Sequence, residues 1–253
     1  MQEIVQSVDR SLSIIEVLSD YENGLGITEI SEKVGLHKST VFRLLSTLIY
    51  KGYVQQDKNS SRYGLTLKLF ELGNKKLENM SLVTVALPHI KKLMEKTNEV
   101  VHLVVRDGTD MVYISKVEPQ KTIRMYSSIG KRIPLYCTAV GKAMMSQMSD
   151  KEVEEIWEKS DIKKLTDRTI TDLETMKKEL KSVKEKGYAV DEQENEIGIR
   201  CIGTIIRDYK GNICGAASVS GSILSFTEDK ISDFSKWILE CAGSISKELG
   251  YRS

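Results

Sequence analysis

The stretch that most limits what this chain can fold into is residues 27–66, where two short helical patterns meet at a glycine turn and run into a β-prone hairpin. In GLHKSTVFRLLSTL, residues 35–48, Val41, Leu44, Leu45 and Leu48 fall at i, i+3, i+4 and i+7, one apolar stripe of a helix. The positions left over include Lys38, Ser39, Thr40, Arg43 and Thr47, and no acid. A face solvated merely for solubility would mix Glu with Lys. Before it, Thr28 is the expected N-cap of a short helix, TEISEKVG, which Gly35 stops. Val5, Val8, Leu12, Ile15 and Leu18 mark an earlier helix over residues 4–19, ended by YENGLG.

Two short helices joined through a glycine-bearing turn form a helix-turn-helix, whose second helix enters the DNA major groove. There, cations reach phosphates or guanine edges, and hydroxyls reach either. The following GYVQQDKNSSRYGLTL reads as two strands around the polar turn DKNSS, a wing with Lys58 and Arg62 at its tip or flank, placed to contact phosphate. Charge supports this order. Residues 1–35 hold two cations against seven acids, whereas residues 36–68 hold six cations against one acid. Taken alone, a helix with two cations is a common solvated face, and the topology also serves packing or protein binding. The coincidence of helix, turn, acid-free face and basic hairpin favours DNA.

The strings VDRSLSIIEVLS, ITEISEKVGLHKSTVFRLLSTLIYKGYV and RYGLTLKLFELG resemble the winged helix-turn-helix domain of the IclR family of bacterial transcriptional regulators. The resemblance runs over nearly the whole chain. It implies a two-domain protein: a mainly α winged helix-turn-helix domain with a β wing at 1–66, a linker helix at 67–80, and an α+β, GAF/PAS-like effector-binding domain at 81–253. The residue patterns of the second half agree with that class. A helix is expected over 82–97, with Pro88 kinking or starting it, then a hairpin around Asp107-Gly108. Helices follow near 139–148, 150–159 and 172–186, then two strands around Asp208-Tyr209-Lys210-Gly211. A closing helix over 227–249 carries Ile231, Phe234, Ile238, Ile245 and Leu249.

Composition narrows the function classes. No run approaches the roughly 18 apolar residues of a membrane span, and no secretory signal is visible, so a cytoplasmic protein without a membrane partner is expected. The cysteines, Cys137, Cys201, Cys214 and Cys241, are scattered without a CxxC pair, and His37, His89 and His102 lack metal-ligand spacing. No cofactor or metal is expected.

Two stretches could hold a small molecule. In IGKRIPLYCTAVGKAMMSQ, Thr138 can cap a helix whose first amides stay open, an anion-binding arrangement, and Lys142 could add charge or be solvated. The alternative is a tightly packed helix start that needs small residues. In ASVSG, Ser218 and Ser220 share one strand face, as do Ile199, Cys201 and Gly203 on the preceding strand. Small core-filling strand residues would give the same pattern. The resemblance implies an effector site formed by Ile133, Ala139, Val140, Asp191, Ile199, Cys201, Ser218 and Ser220, for a small carboxylic, keto or sugar acid. Where relatives often carry Gly at the position of Ala139, and Pro in the strand after the cysteine, this chain has neither.

The resulting expectation is a ligand-responsive regulator, a repressor, bound to double-stranded operator DNA as a homodimer or a dimer of dimers. An ionised Asp191 is expected to accept from a ligand hydroxyl or to orient a water. Competing readings are an enzyme built on the second domain, with Cys201 near Asp191 and His102 as an imagined thiol site, and a winged helix used only for protein contacts. Nothing orders those three residues into a nucleophile–base–orienter set.

Overall fold

Apolar residues three and four apart build the first of two units, Met1–Asn79. The structure, a computed structural model, describes residues 4–78, 81–120 and 127–252. Helices α1 (Gln6–Ser19), α2 (Ile27–Val34) and α3 (Lys38–Tyr50) enclose a core of Ile14, Leu18, Ile30, Val41, Leu45 and Leu48. The hairpin β1 (Val54–Gln56) and β2 (Tyr63–Leu65) adds Val54 and Tyr63 to that core. Helix α4 (Lys68–Glu78) closes the unit, and residues 79–80 of the expected linker lie outside the described residues.

Two expectations for this unit need correction. Val5, Val8 and Leu12 are exposed, and the core side of α1 carries Ile14 and Leu18 instead. The apolar stripe chosen from the sequence therefore lies partly on an uncovered face. Thr28 is not the cap of α2; Gly26 holds that position, and its N–H donates to Glu29 Oε2 at 2.7 Å. The carboxylate of the third helical residue thus reaches back to the N-cap amide, one half of a capping box.

Gly24 fastens the wing. Its φ is +64°, and a Cβ there would lie 2.4 Å from the Tyr63 carbonyl oxygen, so the loop after α1 must pass β2 without a side chain. Leu25 and Tyr63 then exchange backbone hydrogen bonds of 2.9 and 2.8 Å.

The second unit, Met80–Ser253, is built on one antiparallel sheet. Helix α5 (Ser81–Thr97) contains Pro88, and β3 (Val100–Asp107) and β4 (Asp110–Val117) form a hairpin. Next come β5 (Arg132–Pro134), α6 (Ala139–Met145), α7 (Asp150–Lys159) and α8 (Leu173–Lys186). The chain ends with β6 (Ala189–Glu192), β7 (Ile199–Arg207), β8 (Ile213–Ser222), a 3-10 turn at Glu228–Lys230 and α9 (Ile231–Glu248). Strand order is β5-β4-β3-β8-β7-β6. The short edge strands β5 and β6 were not apparent in the sequence, because three or four residues show no alternation to read.

Helices α5 and α9 pack on one face of this sheet and α6 on the other. Gly203 sets the second approach: a Cβ on it would stand 2.8 Å from the Val140 nitrogen. The missing side chain lets the start of α6 rest directly on β7. Among the described residues, no helix is long and apolar enough to cross a membrane.

Candidate functional site

The exposed face of α3 starts with Lys38 and Ser39 and continues through Phe42, Arg43, Ser46, Thr47 and Tyr50. Thr40 is half-buried. No carboxylate stands on this helix. The Thr47 hydroxyl donates to the Arg43 carbonyl at 3.2 Å, and Ser46 donates to that of Phe42 at 2.8 Å, so both are partly engaged with their own helix. Phe42 was missed from the sequence. It is 56% exposed between the two cations, and its position off the Val41-Leu45-Leu48 stripe was the available signal.

On the wing, Lys58 is exposed in a turn organised by Asp57. Its Oδ1 accepts the Ser60 and Asn59 amides at 2.7 and 3.1 Å, which hold the Asp57 carboxyl below its ordinary range. Arg62 is not a free cation. It pairs with Glu29 at 3.0 Å and donates from Nε to the Gly24 carbonyl at 3.1 Å, which ties the foot of the wing to α2.

In the second unit, the residues expected around an effector fall on the α6 side of the sheet. Asp191 on β6 pairs with Cys201 on β7, which pairs with Ser220 on β8. The next row is Ala189, Gly203, Ser218 and His102. Ala139 and Val140 begin the helix covering this face, and Ile199 lies half-buried two residues before Cys201. Ile133 sits apart on the edge strand β5, in an apolar cluster with Met111 and Val140. Thr138 caps α6 by accepting the Gly141 amide at 3.2 Å. Among the described residues, the Ala139 and Val140 amides donate to no carbonyl.

His102 and Tyr113 on this face, with Cys137 and Asn195 beside it, were not among the expected effector-site residues. The His102 ring shares hydrogen bonds with the Ser127 hydroxyl at 2.9 Å and the Ser220 hydroxyl at 3.4 Å, and stacks at a tilt on Tyr113 with centroids 4.7 Å apart. Burial, with Lys116 nearby, drives His102 down to about 3, so it is neutral. Burial and the neighbouring Cys201, Asp191, Glu196 and Cys137 keep the Tyr113 hydroxyl protonated. Cys137 lies 3.6 Å from Asn195 Oδ1. His102 and Tyr113 belong to the alternating pattern of β3 and β4, which marked the strands without saying which face would become polar.

Asp191 and Lys142 both depart from expectation. Asp191 is 3% exposed; burial, then the Glu194 carboxylate, raises its pKa to about 7. It is therefore not firmly ionised near neutrality. Lys142 is 1% exposed and turns toward β6 and α8, neither solvated nor free. Its ammonium pairs with the Glu194 carboxylate and donates to Val190 O at 2.7 Å and Glu179 Oε1 at 3.3 Å. A buried ammonium requires such partners. Thr166 and Thr169 hydroxyls donate at 2.7 Å to the Gln193 and Glu194 carbonyls and fix the loop between β6 and β7.

The thiol-nucleophile reading finds no chemical support here. Burial and Asp191 push the Cys201 thiol well above its ordinary value, and His102 is too weakly basic to deprotonate it.

A helix-turn-helix with a hairpin wing, joined to an α+β unit with a helix-covered sheet, defines a DNA-binding regulator rather than an enzyme. The chain belongs to the IclR family of bacterial transcriptional regulators: residues 7–58 match the IclR helix-turn-helix domain and residues 74–247 the IclR C-terminal domain. It is 39% identical over 247 residues to the HTH-type transcriptional regulator KdgR of Escherichia coli, covering 98% of this chain and 94% of that one. It is 37% identical over 249 residues to the DNA-binding transcriptional repressor YiaJ of the same species, covering 97% and 88%. The crystal structure of Thermotoga maritima IclR superposes with a TM-score of 0.83 at 35% identity, covering 98% of this chain and all of that one.

Proposed function

We propose that this protein is a cytoplasmic, homodimeric repressor, or a dimer of dimers, that binds a near-palindromic operator and is released or retained by a small organic acid. Lys38, Ser39, Thr40, Arg43 and Thr47 read or grip the major groove, and Lys58 and Arg62 belong to a wing over the adjacent backbone. The acid-free outer face of α3 supports this assignment. Repression is the role in the name of YiaJ. Residues 1–66 act as the DNA-binding domain, 67–80 as the link and 81–253 as the sensor.

The observation that carries the sensor reading is the row Asp191, Cys201, Ser220 beneath α6, with Ser218, His102 and Tyr113 beside it. Oriented neutral donors among apolar residues suit a small carboxylic, keto or sugar acid. Gel shifts test the whole reading. The full-length protein should retard the promoter adjoining its own gene more than an unrelated duplex, increasingly so at low salt, and one acid should alter that shift. Equal retardation of both duplexes at every salt concentration refutes operator binding.

A further inference from the structure

Among the described residues, the polar face offers many donors, and the lysines nearest it are already held by carboxylates. Ser218, Ser220 and the Tyr113 hydroxyl are neutral, as are the Ala139 and Val140 amides. The nearby lysines are already paired: Lys142 with Glu194, Glu179 and the Val190 carbonyl, and Lys116 with Glu118 and the Ser127 carbonyl. Acids, by contrast, crowd the site, with Glu194 and Glu196 both acting on this cluster. A carboxylate arriving beside an ionised Asp191 would meet repulsion from three sides.

Asp191 itself supplies the way out. Its Oδ1 accepts the Glu194 amide at 2.7 Å and the Asn195 amide at 3.4 Å. Both bonds fall on Oδ1 and fix the carboxyl plane, so Oδ2 takes no part in them. A proton on Oδ2 would turn this oxygen into a donor on the same sheet face as Cys201 and Ser220.

Resting on the effector reading above, we propose that Asp191 holds the effector carboxylate as a protonated donor, so that in alkaline solution each effector bound brings close to one solvent proton into the protein. The bond formed is O–H to carboxylate, the short, charge-assisted kind. The incoming anion and the incoming proton cancel, and the site keeps its charge. This selects a monocarboxylate whose neighbouring oxygens can accept from Ser218, Ser220 or Tyr113. A dicarboxylate brings a second charge, which the paired Lys142 and Lys116 are not free to neutralise. Of the groups facing Asp191, the Glu194 carboxylate favours the uptake, while Cys201 from β7, Tyr113 from β4 and Cys137 ahead of α6 stay protonated and neutral. Lys142 on α6 opposes it only in part, because Glu194 and Glu179 already hold its ammonium. The carboxyl titrates at about 7, so the proton is available near neutral pH.

The test uses the full-length protein, with pyruvate, lactate and gluconate as monocarboxylate probes, malate as a dicarboxylate and lactamide as the neutral counterpart. Calorimetry at pH 6.0 and 8.5, in buffers of different ionisation enthalpy, reads affinity and protons together. A monocarboxylate should bind at least about tenfold more weakly at pH 8.5, because only the protonated fraction is competent, and should take up close to one proton there. Asp191→Asn should abolish the uptake and flatten the profile; Ser218→Ala should weaken binding and keep the slope. A pH-independent Kd without uptake, or a slope that survives in Asp191→Asn, overturns the proposal and leaves the effector site standing. Binding of malate or lactamide alone also overturns it. If no probe binds at either pH, the effector reading falls with it. Should Asp191→Asn fail to fold, proton uptake by the parent protein decides.

Discussion

At the scale of single residues, the recognition helix makes separable claims. Arg43→Ala should cost roughly 1–3 kcal/mol of operator binding and relax preference at one base pair. Phe42→Ala should do the same at a different position, one where thymine is required, because an exposed aromatic edge packs on the C5 methyl. Footprinting titrations of each variant check both, and equal affinity of the parent protein for operators with thymine or uracil would remove Phe42 from the readout. The wing cations should behave unlike each other. Lys58 is exposed and holds no described partner, so Lys58→Ala should lower the slope of log affinity against log salt by about one phosphate contact. Arg62 bridges Glu29 and Gly24, so Arg62→Ala should chiefly lower the melting temperature of the first unit. Equal salt slopes for the two variants would show that Arg62 reaches DNA after all.

At the scale of elements, the contact of α6 with β7 hangs on an absent side chain. Gly203→Ala places a methyl group 2.8 Å from Val140 N and 3.0 Å from the Ala139 carbonyl carbon, backbone that cannot step aside alone. Overpacking of this kind costs about 1–3 kcal/mol, and chemical denaturation should find it in the second unit. An unchanged midpoint would mean that α6 shifts freely. The pH profile of β3 has its own sign. His102 titrates at about 3 in the fold against 6.5 when free, so its contribution is complete above 6.5 and is lost as pH falls toward 3. Asp191, raised to about 7 from 3.8, acts oppositely and withdraws stability as pH rises through that window. His102→Gln should therefore flatten the acid side of the profile in urea titrations between pH 4.5 and 6.5; a parallel profile would contradict the assignment. The sequence made the larger elements readable because their periodicity is long: α3, α7, α8 and the two strands flanking Asp208 lie where their patterns put them. It did not reveal β5 or β6, which are too short to alternate visibly. Nor did it reveal the partners of Lys142, since Glu179 and Glu194 are distant in the chain and meet it only through tertiary packing. The resemblance offered Asp191, Cys201, Ser218 and Ser220 as a candidate set, but not the Asp191 charge state, which depends on burial.

At the scale of the whole molecule, one winged helix spans too few base pairs to single out a gene, and two-fold symmetry is the economical remedy. Val5, Val8 and Leu12 leave an apolar strip of α1 uncovered. Val8→Glu with Leu12→Glu should produce a monomer at micromolar concentration with little change in the fold of the first unit, and should weaken operator binding. Sedimentation decides, and an intact dimer in the double variant would place the interface elsewhere. The polar groups opposite α6 have a consequence of another kind. Asp191, Cys201, Ser218 and Ser220 all come from the consecutive strands β6, β7 and β8, within residues 189–222. The groups of α3 and the wing come from residues 38–62. In genetic terms, these are two short, non-overlapping stretches of one coding sequence. On the reading proposed above, a duplicated copy that drifts or recombines in the later stretch would alter the groups that meet the effector from β6 to β8 while its place on the chromosome stays inherited.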